Sequence, residues 1–119
     1  MIYHLSMVLK TRIENLNPKE IKKLLLNVGS RIYQTRSELI YKGHIPLAGF
    51  ILIKGAIDLM QGKKLVGSIA PGQLLGLNEA LHHIPFKYQA IIESNSEVII
   101  LDQSTLKELS QEIAEIVAK

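Results

Sequence analysis

The stretch Phe50-Ile51-Leu52-Ile53-Lys54-Gly55-Ala56-Ile57-Asp58-Leu59-Met60-Gln61-Gly62-Lys63-Lys64-Leu65-Val66-Gly67-Ser68-Ile69 decides the fold. Phe50–Ile53 is a continuous apolar run, Lys54-Gly55 interrupts it, and Ala56–Met60 resumes it. Gln61-Gly62-Lys63 then makes a tight turn into Lys64–Ile69. Short β-type runs punctuated by glycine in this way predict antiparallel strands. A parallel pair would need a crossover of about a dozen residues or more, and the spacing leaves no room for one.

The same texture extends outward in both directions. On the N-terminal side Arg31–Thr35 alternates, Leu39-Ile40-Tyr41 follows closely, and Lys42-Gly43-His44 breaks the chain. On the C-terminal side Pro71-Gly72 turns, and Phe86–Glu93 and Glu97–Leu101 read as strands joined by Ser94-Asn95-Ser96. About seven or eight short strands with turns this close predict a small barrel or jelly roll. Glycines 43, 55, 62, 67, 72 and 76 are expected at its corners, where a residue without Cβ bends freely.

Helices are expected at both ends. Asn17-Pro18-Lys19-Glu20 carries an N-cap, a proline at the first helical position and a glutamate three residues after the cap. Ile21, Leu24 and Leu25 follow at helical spacing, and Gly29 is a natural stop. A shorter helix over Met7, Leu9, Ile13 and Leu16 is expected before it. At the other end Asp102 or Ser104 caps a helix running to Lys119, with Leu106, Leu109, Ile113 and Ile116 as its apolar stripe. The expected organisation is one domain over residues 1–119: helical 1–29, β-roll 30–101 and a C-terminal helix 102–119.

Composition narrows the function. With 47% hydrophobic and 21% charged residues the chain is of ordinary globular type. It has no cysteine, which excludes disulfides and thiolate metal sites. No apolar run approaches the roughly 20 residues that span a bilayer, and the N-terminus lacks a signal-peptide pattern, so a cytoplasmic, non-membrane protein is expected. The net charge is +3, but the lysines are dispersed, and the doublets Lys22-Lys23 and Lys63-Lys64 are too small for a nucleic-acid footprint. His82 and His83 are adjacent and would face opposite ways on a strand, so together with His44 and Glu79 they do not define a metal site. There is no nucleophile elbow, and Glu93 and Glu97 merely flank a turn. No enzyme, metal or cofactor is expected.

Three stretches in order resemble the cyclic-nucleotide-binding domain family, as found in the effector domains of CRP/FNR-like transcription factors. They are Ile40–His44 followed by Phe50–Ile57, then Val66–Gly76, then Ala90–Asp102. The resemblance implies a mainly β fold, an eight-stranded β-roll of jelly-roll type with helices before and after. It also implies where a ligand would bind. In the family a Gly-Glu pair opens a short helix whose amides face the cyclic phosphate, the glutamate accepts from the ribose, and an arginine farther on pairs with the phosphate.

Here the matching cassette is Gly76-Leu77-Asn78-Glu79-Ala80-Leu81, continuing to Lys87-Tyr88-Gln89. Gly76 is kept, and Leu77 stands in place of the glutamate. The arginine position falls on Lys87, or on Phe86 if the gap is placed differently, and lysine lacks the two-pronged grip of arginine. Tyr88 is bulky where the family has a small residue. Glu79, two residues on, is a candidate to reach into the pocket in place of Leu77.

The resemblance therefore implies a stand-alone regulatory module with a degenerate pocket that works through a protein partner. The alternative is a sensor for a cyclic nucleotide (cAMP or cGMP type) or another anion at Gly76, Leu77, Asn78, Glu79, Ala80, Lys87, Tyr88 and Gln89. In transcription factors of that family the last helix pairs two subunits and leads into a helix-turn-helix. The stripe Leu106, Leu109, Ile113 and Ile116 is thus a candidate homodimer surface. No DNA-reading unit follows it, so no DNA partner is expected.

Overall fold

In the computed structural model, which describes residues 11–108, the chain is a mainly β roll of two antiparallel sheets. The first sheet contains β1 (Ile13–Asn15), β7 (Gln73–Leu75), β4 (Ala48–Lys54), β9 (Ser96–Asp102) and β2 (Arg31–Tyr33), in that order. The second contains β3 (Ser37–Ile40), β8 (Gln89–Ile92), β5 (Ile57–Gln61) and β6 (Lys64–Ile69). Helix α1 (Pro18–Val28) precedes the roll, α2 (Leu77–His82) interrupts it after β7, and α3 (Gln103–Glu108) follows it.

β4 explains the unbroken apolar run. Phe50 and Leu52 face the roll interior with Ile57, Leu59, Ile69, Ala90, Ile92 and Val98. Ile51 faces the other way, with Leu24, Leu74, Ile99 and Leu101, and Ile53 packs against that second cluster. A strand covered on both faces has no solvent side and needs no polar alternation.

The covering element on the outer face is α1. Its start is the expected capping box: the Glu20 N–H donates to Asn17 Oδ1 at 2.9 Å, and the Asn17 N–H donates to Glu20 Oε1 at 3.1 Å. Leu24 is buried, and Ile21, Leu25 and Val28 flank it. Gly29, at φ +84°, ends the helix with its N–H on the Leu25 carbonyl.

Several sequence expectations are corrected. Ile13 lies in a strand, not a helix. Ile13, Glu14 and Asn15 pair with Leu75, Leu74 and Gln73, and the Leu16 N–H bonds to the Gly72 carbonyl. The free edge of β7 offers partners that an isolated helical turn just before Asn17-Pro18 would lack. Met7 and Leu9 of that expected helix lie outside the described residues. Gly67 is not a corner. It sits within β6 opposite Leu59, beside a bulge between Leu59 and Met60. Gly55 is a true corner, at φ +96°, where a methyl group would overlap the Ser96 hydroxyl. Residues 86–88 lie ahead of the strand, which starts at Gln89.

At the C-terminal end Asp102 is the cap: the Thr105 N–H donates to its Oδ1 at 2.9 Å. That bond, with further hydrogen bonds from the Thr105 side chain and the Ser104 backbone, holds the Asp102 carboxyl below its usual range. Leu109, Ile113 and Ile116 lie outside the described residues.

Candidate functional site

The cassette runs from β7 through α2 to the start of β8. Gly76 is buried at φ +82°, and a Cβ there would lie 3.3 Å from Ile40 Cδ1 and 3.5 Å from the Ala48 carbonyl. The left-handed backbone and the close approach together require glycine. Its carbonyl accepts the Ala80 N–H at 3.0 Å, which starts α2.

The α2 side chains are committed elsewhere. Leu77 is 2% exposed and belongs to the helix-backed cluster with Leu24, Ile51 and Leu74, not to the roll interior. It seats over Gly49, where an added Cβ would stand 3.0 Å from Leu77 Cβ. Ala80 is buried, and Asn78 is half-buried. Glu79 is 3% exposed and turned toward the start of the first sheet, where its Oε2 accepts the Thr11 hydroxyl at 2.6 Å. Its Oε1 has no partner among the described residues.

After α2, His83 takes a left-handed conformation, and the Ile84 N–H returns to the Glu79 carbonyl. Phe86 and Tyr88 then point inward. Both are buried among the roll-interior residues, with their rings edge to face at 6.4 Å. Lys87, between them, is exposed, and Gln89 is half-buried at the start of β8, opposite Met60. Of the two placements open in the sequence for the family's arginine, the inward position is Phe86.

Among the described residues no positively charged side chain is buried in this interior. Among the described residues the buried polar or charged side chains are Glu79 and Ser96. The three arginines are engaged elsewhere: Arg12 pairs with Glu14 at 3.0 Å, Arg36 with Glu93 at 3.1 Å, and Arg31 lies 4.6 Å over the Tyr33 ring. His44, His82 and His83 are exposed, and no three His, Cys, Asp or Glu side chains gather to hold a metal among the described residues.

A second feature lies at the mouth of the roll. Leu39 to Tyr41, Gly43 to Ala48, Phe50 and Pro85 line an apolar groove of about 630 Å³. Sequence reading missed it, because its wall is a loop whose apolar residues follow no helical or strand period. Ile45-Pro46-Leu47 between Gly43 and Gly49 is the signal that could have marked it.

A sequence model described as the cyclic nucleotide-binding domain matches residues 30–112. The chain belongs to this family. No curated protein matches it, but solved structures share the fold. A protein from a cyclic-GMP-dependent signalling pathway that regulates bacterial phytopathogenesis is 20% identical, with a TM-score of 0.73 over 88% of this chain and 87% of that one. A cyclic nucleotide-binding-like protein from Brucella abortus is 21% identical, with a TM-score of 0.64 over 80% and 85%. The catabolite activator protein of Thermus thermophilus is 19% identical, with a TM-score of 0.62. There the match covers 87% of this chain and 54% of that one. In this cyclic nucleotide-binding domain no helix among the described residues is long and apolar enough to cross a membrane.

Proposed function

We propose that this cyclic nucleotide-binding domain is a cytoplasmic regulatory module with a degenerate nucleotide pocket, and that it acts by contacting a protein partner rather than by catalysis. The observation that carries this reading is Phe86, buried inside the roll where the family pattern calls for an arginine. A cyclic phosphate seated over α2 would meet an aromatic edge instead of a guanidinium. Leu77 adds to the loss, since it lies in the helix-backed cluster and offers no acceptor for a ribose hydroxyl. A site built on buried hydrogen bonds loses affinity steeply when its partners are missing.

The output surfaces in this reading are the helices outside the roll. Leu26 on α1 is 82% exposed, and the C-terminal stripe of Leu106, Leu109, Ile113 and Ile116 is the candidate surface for a partner or a second copy.

A second reading is favoured by the retained Gly76 turn and by the descriptions of the related structures, which include cyclic GMP signalling. In it the domain senses a cyclic nucleotide or another anion through the α2 amides and Lys87. Isothermal calorimetry against cAMP and cGMP separates the two. Absence of heat up to millimolar ligand is the expected result. Micromolar binding that weakens in Lys87→Ala would overturn the degenerate pocket and establish the sensor.

A further inference from the structure

Helix α1 has two faces of different chemistry. Leu24 is buried, with Ile21, Leu25 and Val28 beside it, and seats the helix on the first sheet. The opposite face is Lys19, Lys22, Lys23 and Leu26, at the i, i+3, i+4 and i+7 spacing that aligns side chains along one side of a helix. All four are exposed, and Leu26, at 82%, is the most exposed large hydrophobic side chain among the described residues. Glu20, the acidic residue of the helix, is committed to the capping box, where its carboxylate accepts the Asn17 N–H. Among the described residues the ion pairs are Arg12–Glu14 and Arg36–Glu93, so none of the three lysines is neutralised. The face offers a row of cations and one apolar anchor, and the roll uses neither.

The complementary chemistry stands in the same chain. From Glu108 onward the sequence places Glu108, Glu112 and Glu115 immediately before Leu109, Ile113 and Ile116, and no lysine or arginine follows Lys107 until Lys119. At helical spacing this is a row of carboxylates at i, i+4 and i+7 flanking an apolar stripe of the same period. It matches the α1 face in length, opposes it in charge and supplies the apolar partner for Leu26. Opposite charges laid along two facing surfaces steer association and fix its register. The lysine face points away from the sheet, whereas α3 follows β9, which α1 covers through Ile99 and Leu101. The C-terminal segment of the same roll would have to wrap around α1 to reach that face, and the segment of a second copy meets it directly.

We propose that two copies of this domain associate reciprocally, residues 108–119 of each lying along the Lys19, Lys22, Lys23 and Leu26 face of the other. The glutamates then oppose the lysines, and the Leu109, Ile113 and Ile116 stripe covers Leu26. One two-fold operation makes both contacts, since each copy offers both halves. The arrangement differs from stripe-to-stripe pairing, which leaves α1 uninvolved. It rests on reading the outer helices as contact surfaces and not on the state of the nucleotide pocket, because it uses no cassette side chain.

The test is sedimentation velocity of the full chain over a range of concentrations. A concentration-dependent dimer is expected, weakened by added salt. Lys22→Glu with Lys23→Glu, and separately Glu112→Lys with Glu115→Lys, should each raise the dimer dissociation constant about tenfold or more and leave the circular dichroism unchanged. Leu26→Ser should raise it by about tenfold as well. An equimolar mixture of the two charge-reversed variants should associate again, because the reversed face meets the reversed segment and the native face meets the native one. Two folded variants that stay monomeric when mixed would overturn the reciprocal contact. A dimer indifferent to the lysine reversals would also overturn it and point to stripe-to-stripe pairing. A chain that is monomeric at millimolar concentration would overturn it too, while the regulatory reading would still stand or fall by calorimetry against cAMP and cGMP.

Discussion

On one side of Phe86 the roll is packed shut, and on the other it stands open. Inward, Phe86 and Tyr88 are buried among the roll-interior residues, and Leu77 is seated over Gly49 in the cluster that α1 backs. Toward the mouth, Tyr41, Ile45 and Leu47 project into water around a groove that no part of the described chain fills. The two regions are tied by the same short backbone clip, yet their apolar residues have different roles. Those of the cassette hold the fold together, and those of the groove are available to something else.

That difference can be attacked by substitution. The largest expected effect is at Phe86: Phe86→Ala should destabilise the domain by about 3–5 kcal/mol, since it leaves a cavity in the roll. Leu47→Asp, at an equally apolar but exposed position, should change stability by no more than about 0.5 kcal/mol. Equal costs in urea denaturation would erase the contrast. Leu77→Ala should cost about 2–5 kcal/mol on the same scale. A cost well below this range would mean that α2 is not anchored by that side chain.

A smaller effect is expected at Thr11, whose hydroxyl is the described partner of the buried Glu79 carboxylate. Thr11→Val should cost about 1–3 kcal/mol by leaving that carboxylate unsatisfied. Combining it with Glu79→Gln should recover part of the loss, because the amide is less costly than a carboxyl group to bury without the Thr11 hydroxyl. No recovery would show that Thr11 acts through packing.

The smallest effect lies outside both regions and serves as their control. The Asp102 carboxyl is held below its usual range by hydrogen bonds at the start of α3. Its contribution is therefore present above the ordinary carboxylate range near 3.8 and fades as pH falls through the lower folded value. Asp102→Asn should flatten that portion of the acid-unfolding curve and leave stability at neutral pH changed far less than Phe86→Ala does.

The contrast between the two regions also marks what the sequence could convey. The strands and α1 were legible because their signals are local: a capping box at Asn17, a turn at Gly62, an apolar run in β4. Strand β1 was not, because three residues carry no period and take their conformation from the edge of β7. The cassette was legible only in part. Gly76 and Leu77 could be placed by motif, but the choice between Phe86 and Lys87 turns on one residue of loop length, and a slip of one flips every side chain to the other face. In the fold Phe86 faces inward and Lys87 is exposed. Glu79 could be suspected as a substitute for the missing acid, but its partner Thr11 is 68 residues away in the chain, beyond any local pattern. The groove was invisible for a similar reason, since it exists only once Pro85 and the loop from Tyr41 to Leu47 have been brought together.

The clip itself has a consequence for motion on the timescale of amide exchange. The Gly43 and Phe86 N–H groups protect one another's segment through a pair of bonds just beyond the end of the β3–β8 ladder. Neither segment can swing away without releasing both protons to solvent, so the two amides should exchange as a unit, through a local opening well short of global unfolding. The paired strands on either side, β3 and β8, should keep their own, slower exchange pattern.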